Sequence, residues 1–295
     1  MNVLLQTLAP IALIVVVGAF AQRFLSFDVR ALSRLTLYIL SPALVLSTMA
    51  GRDTSGGSAA RIALAFVGAT LVLYLLAVVI GSAAKLADVR RKTLVATTLF
   101  GNTGNMGLPL VFFALGDAGF EYAVVVFVAS GILVFGFGPA LVQGQGLVSG
   151  VRTVLRLPLI WALTAGVLLG VSGVQLPWRL DEGVDMLGRA TIPVLLLVLG
   201  MQIARSRLRP TPFVLGASVL RLVASPLAAY AIGRVVGLDT LGLQVLVLQF
   251  ATPTAVNAML VATEFGGDGT RTAQVVVTST LLSLATIPLV LWWVG

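Results

Sequence analysis

Long apolar segments separated by short polar connections run along the whole chain. A helix needs about 20 consecutive, largely apolar residues to cross a bilayer, and ten segments approach that length between clusters of charge. Because these segments are continuously apolar rather than alternating, they favour helices over the strands of a membrane barrel. The predicted spans, numbered 1 to 10 in chain order, are 3–22, 32–50, 62–84, 93–115, 121–143, 154–173, 186–203, 212–233, 240–263 and 273–294.

The overall composition agrees with a membrane protein. Hydrophobic residues make up 58% and charged residues 10% of the 295 positions, and the mean hydropathy is +1.06. Soluble domains have roughly 45–50% apolar and about 25% charged residues, so this chain has too few charges to cover a surface in water. That excludes a cytosolic enzyme, a disordered protein and a nucleic-acid-binding protein. The chain also lacks Cys and His, which removes disulfides, zinc sites with these ligands and imidazole proton relays.

The 19 Lys and Arg residues are distributed unevenly between the connections. Thirteen lie after the odd-numbered spans and five after the even-numbered spans, while Arg221 lies within span 8. Cytoplasmic connections carry the excess of Lys and Arg in membrane proteins. We therefore predict a multi-pass protein of the plasma membrane with both termini on the outer side. The net charge of +8 reflects this orientation rather than a polyanionic partner.

Matching landmarks recur about 150 residues apart. Pro42 lies in the middle of span 2 and Pro193 in the middle of span 7, while Gly116 ends span 4 and Gly267 ends span 9. The common order and nearly constant offset indicate a duplication of a five-span unit. An odd number of spans places the second copy upside down in the membrane, which is the inverted repeat of many secondary transporters.

The repeat predicts the fold class and the organisation of the chain. We expect an all-α integral membrane protein with ten transmembrane helices in an inverted 5+5 arrangement. The first five-helix repeat covers residues 1–143, a cytoplasmic linker covers 144–156, and the second repeat covers 157–295.

Spans 4 and 9 are each interrupted near the middle by residues that break helices. Residues 101–109 contain three glycines, two asparagines and a proline, and residues 251–257 combine a proline with threonines and an asparagine. Each glycine weakens a helix by roughly 1 kcal/mol relative to alanine, and proline removes a backbone donor. Irregular backbone at bilayer depth is tolerated only where it is buried in protein or lines a watered cavity. We therefore predict that the two broken spans cross at the transport site.

Two broken helices that enter from opposite sides would direct their half-helix N-termini, with positive dipole ends, at one spot. That spot suits an anionic group without a full cation nearby. The candidate substrate-binding residues are Asn102, Thr103, Gly104, Asn105, Pro109, Thr252, Pro253, Thr254 and Asn257.

Charge inside the spans is rare. None of the eleven acidic residues lies near the middle of a span, so no proton relay through a deeply buried carboxylate is visible. Arg221 lies ten residues into span 8, where placement at the membrane centre costs at least about 2.5–3.5 kcal/mol. Two interpretations stay open: Arg221 contacts the substrate, or it holds span 8 against a neighbour through a salt bridge or carbonyl contact.

The sequence of the two breaks resembles a known family. The run from Asn102 to Leu110 is similar to the Asn-Thr-x-x-Met-Gly-x-Pro-Leu crossover motif of the auxin efflux carriers, which include bacterial transporters of malate, malonate and similar anions. Residues 251–253 and the Ala-rich turn through residue 266 resemble the second crossover of that family. The resemblance covers essentially the whole chain, and the long cytoplasmic loop of the plant members is absent.

This resemblance implies further properties. Spans 4 and 9 would cross in a transport domain of spans 3–5 and 8–10, next to a scaffold of spans 1, 2, 6 and 7. An elevator-like motion, a homodimer and the bacterial inner membrane are also implied. Family substrates are carboxylate anions, and the matching positions that bind them are Asn102, Pro109 and Pro253, to which we add Asn105 and Asn257 from their chemistry.

The leading hypothesis is a secondary transporter that moves a small mono- or dicarboxylate by alternating access about the crossing of spans 4 and 9. The alternative is a sodium-coupled symporter of the bile-acid type, and a channel is less favoured. An enzyme is not expected, because His, Cys and paired intramembrane carboxylates are lacking. No cofactor or nucleic-acid partner is expected, while coupling to a proton or to Na⁺ stays open.

Overall fold

The computed structural model describes residues 2–51, 56–137, 151–152, 154–174, 176–205, 210–264 and 266–295. Most of the predicted linker and the end of span 5 lie outside these ranges. The α-helices are α1 (Asn2–Leu25), α2 (Val29–Leu35), α3 (Ser41–Ala50), α4 (Gly56–Ala83), α5 (Asp88–Leu99), α6 (Leu108–Ile132), α7 (Pro158–Ser172), α8 (Leu180–Arg189), α9 (Thr191–Ala204), α10 (Pro212–Val219), α11 (Ser225–Val236), α12 (Thr240–Phe250), α13 (Asn257–Glu264) and α14 (Gly269–Val294). Five-residue π-helical turns lie at Thr36–Leu40, Thr103–Gly107, Leu133–Phe137 and Leu220–Ala224, and a 3₁₀ turn lies at Pro177–Arg179.

Seven helical stretches in the described ranges are long and apolar enough to cross a membrane. They are Leu5–Leu25, Val29–Ala50, Gly57–Ala83, Thr103–Gly136, Pro177–Ala204, Pro212–Val236 and Gly269–Val294. Two further apolar helices, α7 and α12, are shorter and coincide with predicted spans 6 and 9. The chain is therefore an all-helical, multi-pass membrane protein across its described residues, while the count of ten spans and the inverted repeat stay predictions.

The sequence predicts a gap between spans 4 and 5, but in the structure one helix continues through this boundary. α6 runs through it from Leu108 to Ile132, with one non-helical residue, Gly116, at φ 65° and ψ −162°. An L side chain rarely adopts a positive φ, whereas glycine does so readily. Gly116 therefore lets the chain turn where the sequence predicts the end of span 4, without a separate loop.

Polar caps fix where several helices begin. The Asp28 carboxylate accepts from the Arg30 N–H at 2.9 Å at the start of α2, and the Asp239 carboxylate accepts from the Gly242 N–H at 2.7 Å at the start of α12. Asp268 caps α14 in the same way. Such caps stabilise a helix by about 0.5–2 kcal/mol, and they place the helix starts in the connections between apolar segments.

Glycines bring one set of helices into close contact. A Cβ on Gly18 of α1 would lie 2.8 Å from the Leu197 Cα of α9, and a Cβ on Gly188 of α8 would lie 3.0 Å from the Leu44 Cα of α3. Such small residues let membrane helices approach at the level of their backbones. α7 also packs against α3. We call α1–α3 and α7–α9 the first helix group.

The remaining helices, α4–α6 and α10–α14, form the second helix group. α4 packs against α5 and α11, α11 packs against α12, and α10 packs against α14. Phe66 of α4 and Phe250 of α12 lie in the buried core of this group, with their ring centroids 5.4 Å apart. The two groups meet along α1 and α6, and both interrupted spans belong to the second group.

Candidate functional site

The two interruptions of the spans lie directly against each other. α5 ends at Leu99 and α12 ends at Phe250, and Gly101 and Thr254 face each other as an antiparallel pair. The Asn102 N–H donates to the Pro253 carbonyl oxygen at 2.8 Å, and the Ala255 N–H donates to the Phe100 carbonyl oxygen at 2.8 Å. We call residues 100–102 and 252–255 the crossover. Each interruption satisfies backbone groups of the other, as a buried, irregular backbone requires.

The predicted site residues of the second interruption hold the crossover together. The Thr254 hydroxyl donates to the Thr97 carbonyl oxygen at 2.8 Å, and the Thr252 hydroxyl donates to the Gln249 carbonyl oxygen at 2.6 Å. Thr252, Pro253 and Thr254 are all buried. The hydroxyl protons of the two threonines are therefore used within the protein, and none of these three residues lines the cavity beside the crossover.

Pro109 is also buried and lies outside the cavity lining. It is the second residue of α6, which follows the π-helical turn Thr103–Gly107 directly, so it lies within the outgoing half-helix, the helical segment that leaves the first interruption.

Arg221 lies behind the crossover on the π-helical turn Leu220–Ala224 and is 1% exposed. Its Nε donates to the Thr252 carbonyl oxygen at 3.0 Å, and its Nη1 donates to the Thr98 carbonyl oxygen at 2.9 Å. The carbonyl contact considered from the sequence is therefore present, and it reaches both interrupted spans. The guanidinium lies against Gly101, where a Cβ would lie 2.7 Å from Cζ.

A cavity of about 380 Å³, which we call the polar cavity because of the asparagines in its lining, opens beside the crossover. It brings together five of the predicted residues: Asn102, Thr103, Gly104, Asn105 and Asn257. Asn102 is 5% exposed, whereas Asn257 is exposed. Within the described part of the chain, no hydrogen bond occupies the side-chain amides of the three asparagines. These amides are available to a ligand.

Two helix starts also face the polar cavity. At the first, the Met106 and Gly107 N–H groups both donate to the Asn102 carbonyl oxygen, at 3.3 and 2.9 Å. At the second, α13 begins with Asn257. The first N–H groups of a helix have no acceptor within it and carry the partial positive charge of the helix dipole. Both starts therefore present donors and positive potential to the same space.

The charged residues that line the polar cavity, among those described, are Arg30 and Arg34 of α2, and no carboxylate is among them. Both arginines are exposed, so they lie at the mouth rather than at the crossover. Positive charge therefore lies at the mouth of the cavity, and the positive ends of two helices lie at its inner end.

Sequence reasoning missed other polar residues of this lining, among them Ser130 and Gln202. The Ser130 hydroxyl donates to the Phe127 carbonyl oxygen at 2.8 Å. The Thr103 hydroxyl lies 2.6 Å from the Ser130 hydroxyl and donates to the Ser130 oxygen. The only signal for either residue was a single polar position in an apolar helical segment, which is a weak indication of function.

A second cavity, of about 890 Å³, lies on the opposite side of the crossover. It is lined by Phe112 and Asp117, at the far end of the outgoing half-helix, and by Asp185 and Arg189 of α8. None of the described crossover residues lines it. Like the polar cavity, it is bounded by both helix groups. A ligand therefore reaches the crossover through the polar cavity, on the side of Arg30, and not through the second cavity, on the side of Asp117.

A family model described as "Membrane transport protein" matches residues 3–146 and 147–291. The chain belongs to this family of membrane transporters. The match confirms the resemblance to the auxin efflux carriers that the first crossover motif indicates.

Several curated relatives of this transporter carry similar names. A protein of Rhizobium meliloti (strain 1021) named "Putative malonate transporter" is 27% identical over 273 residues, which cover 87% of this chain and 84% of the relative. An uncharacterized transporter of Methanocaldococcus jannaschii is 22% identical over 300 residues, 96% of each chain. Another, of Methanothermobacter thermautotrophicus, is 26% identical over 281 residues, 89% of this chain and 88% of the relative.

Proposed function

We propose that this membrane transporter is a secondary carrier that moves a small carboxylate anion by alternating access about the crossover. The observation that carries the proposal is the polar cavity. Three free asparagine amides and two helix starts line it, and no described carboxylate does. Amide and backbone N–H donors stabilise an anion, and such hydrogen bonds to a charged group are worth about 1.5–3 kcal/mol each.

The substrate class is a small mono- or dicarboxylate. The cavity of about 380 Å³ falls at the lower end of the roughly 300–1,000 Å³ that small-molecule sites occupy. Asn102 and Asn105 lie at one helix start and Asn257 at the other, so the two ends of a dicarboxylate would each meet a set of donors. The name of the Rhizobium meliloti relative supports this class.

The transport motion in this proposal is a displacement of the second helix group relative to the first. The two cavities support it, because both lie between the groups and only the polar cavity reaches the crossover. Moving the second group would close the polar cavity and open the crossover to the second cavity. The glycine contacts of the first group suit a rigid scaffold, and the crossover bonds suit a second group that moves as one body.

A thermal-shift screen followed by uptake into proteoliposomes tests this function. Mono- and dicarboxylates are added to the purified protein at several pH values, with and without Na⁺. We expect a carboxylate to raise the melting temperature in a concentration-dependent way and to be taken up with saturation. Stabilisation that needs Na⁺ supports the sodium-coupled alternative, and conductance without saturation supports a channel. Absence of any carboxylate effect at every pH contradicts the proposal.

A further inference from the structure

The charge of Arg221 has no carboxylate partner among the described residues. The side chain is 1% exposed, and the ion pairs of the described chain lie elsewhere, at exposed or half-exposed helix ends. A buried charge is ordinarily paired or fully hydrogen-bonded because leaving water is costly. The acceptors that Arg221 finds are two backbone carbonyl groups, which are dipoles rather than ions.

These two carbonyl groups lie at equivalent places in the two interrupted spans. Thr98 is in the last turn of α5, and Thr252 follows the end of α12 by two residues. The C-terminal end of a helix carries a partial negative charge. Arg221 thus lies where the negative ends of α5 and α12, the two half-helices that lead into the interruptions, meet, and its charge offsets theirs. The partial positive charges at the starts of the outgoing half-helices, which face the polar cavity, are then not cancelled by these negative ends.

Little separates this guanidinium from the polar cavity. Gly101 lines the cavity on one side and lies against Arg221 on the other, so close that a Cβ would collide with Nη2. Electrostatic attraction is strong across such a short distance in a medium of low polarity. A carboxylate beside Gly101 would therefore experience the charge of Arg221 without touching it.

We propose that Arg221 is a positioning residue with an electrostatic function, which makes the site prefer dianionic over monoanionic substrates. It fixes both interruptions through their carbonyl groups and supplies positive charge from behind Gly101. This inference rests on the proposed function and adds the charge selectivity of the site. A purely structural brace would affect every ligand equally, whereas a nearby charge affects a dianion more than a monoanion of the same shape.

Binding of malonate and succinate, each compared with its own monoamide, tests this distinction. Each pair has nearly the same shape but differs by one negative charge. At a pH where the acids are dianions, we expect Arg221→Gln to reduce the ratio of dicarboxylate to monoamide affinity by at least tenfold. Arg221→Lys retains the charge and should preserve most of the ratio. The matched control is Arg234→Gln, an exposed arginine in the last turn of α11, which should leave the ratio unchanged.

Gly101→Ala provides a second route if Arg221→Gln does not fold. The added methyl group displaces the guanidinium from the cavity wall, so the ratio should fall as in Arg221→Gln. Gly216→Ala is its control, because Gly216 lies in the same span as Arg221 and has open space around it. Equal losses for acid and monoamide in both variants overturn the inference alone. Failure of the wild-type protein to bind either acid overturns the proposed dicarboxylate function instead.

Discussion

The backbone N–H of Asn102 donates to the carbonyl oxygen of Pro253 at 2.8 Å, and this bond ties the two interrupted spans together at the crossover. It engages the main chain of Asn102 but leaves its side-chain amide on the wall of the polar cavity. One residue therefore maintains the irregular backbone and presents a free donor to a ligand.

Asn102→Ala should weaken carboxylate binding while leaving the protein folded. The variant removes the amide donor but keeps the backbone bond to Pro253. Loss of one hydrogen bond to a charged group costs about 1.5–3 kcal/mol, roughly a 10- to 150-fold increase in Kd. Isothermal titration of the detergent-solubilised protein measures the change, and an unaltered melting temperature shows that the fold is intact.

Gln6→Ala is the matched control for this substitution, because it removes an amide from an exposed position of α1 outside the polar cavity. Its Kd should equal that of the wild-type protein. Unchanged affinity in Asn102→Ala contradicts the assignment of this amide to the site.

Gly107→Ala should destabilise the protein through one specific contact. A Cβ at this position would lie 2.9 Å from the Gln249 Cδ and still closer to Oε1, in a buried region. Overpacking of this kind costs about 1–3 kcal/mol. Because the opposing atom belongs to a side chain, Gln249→Ala should relieve most of the cost.

A double-mutant cycle on the melting temperature measures this coupling. We expect Gly107→Ala to lower the melting temperature much less in the Gln249→Ala background than in the wild type. Additive effects would show that the two residues do not compete for the same space.

Arg30→Gln with Arg34→Gln should slow the association of a carboxylate, and the effect should fade with added salt. Both arginines are exposed at the mouth of the polar cavity, and rim charges act mainly on association rates. Salt screens them because the Debye length is only about 8 Å at 0.15 M. Stopped-flow binding at low and high salt measures the rates. Arg23→Gln, an exposed arginine at the end of α1 outside the cavity, is the control, and equal rates in both variants at low salt refute the steering role.

Gly200→Ala should lower the melting temperature by disturbing the contact between α1 and α9. A Cβ there would meet the backbone of α1, 2.8 Å from the Ala19 nitrogen, and the backbone cannot rotate away. We expect a loss of about 1–3 kcal/mol. Gly183→Ala is the matched control, since that glycine of α8 is exposed and has open space around it. A similar melting temperature for both variants would contradict close packing at Gly200.

The sequence located the interruptions because their residues conflict with the apolar pattern around them. Glycine, proline and asparagine near the middle of an apolar span weaken a helix and leave polar groups that need partners. The structure places non-helical backbone at residues 251–256, within the predicted stretch 251–257, and at residues 100–102, whereas residues 103–109 of the predicted stretch 101–109 are helical. It also shows that the two interruptions touch, as expected for two broken spans that cross.

The sequence could not show which of the predicted residues line the cavity and which bond the backbone of the crossover. A threonine hydroxyl bonds a ligand or a nearby carbonyl group equally well, and Thr252 and Thr254 bond carbonyl groups. Ser130 was missed for the related reason that a lone serine in a membrane helix commonly bonds its own helix, as Ser130 does at Phe127. Only the three-dimensional arrangement shows that it also lines the polar cavity.

Protection of a single cysteine in the polar cavity tests directly whether a carboxylate binds there. The chain contains no cysteine, so Ser130→Cys introduces one reactive thiol there, and Ser172→Cys, exposed at the end of α7, introduces a control thiol. Maleimide labelling is measured with increasing malonate or succinate. We expect the acid to slow labelling of Ser130→Cys, with a half-maximal concentration near its Kd, and to leave labelling of Ser172→Cys unaffected. Equal labelling of Ser130→Cys at all concentrations of an acid that the variant binds would show that the acid does not bind in the polar cavity.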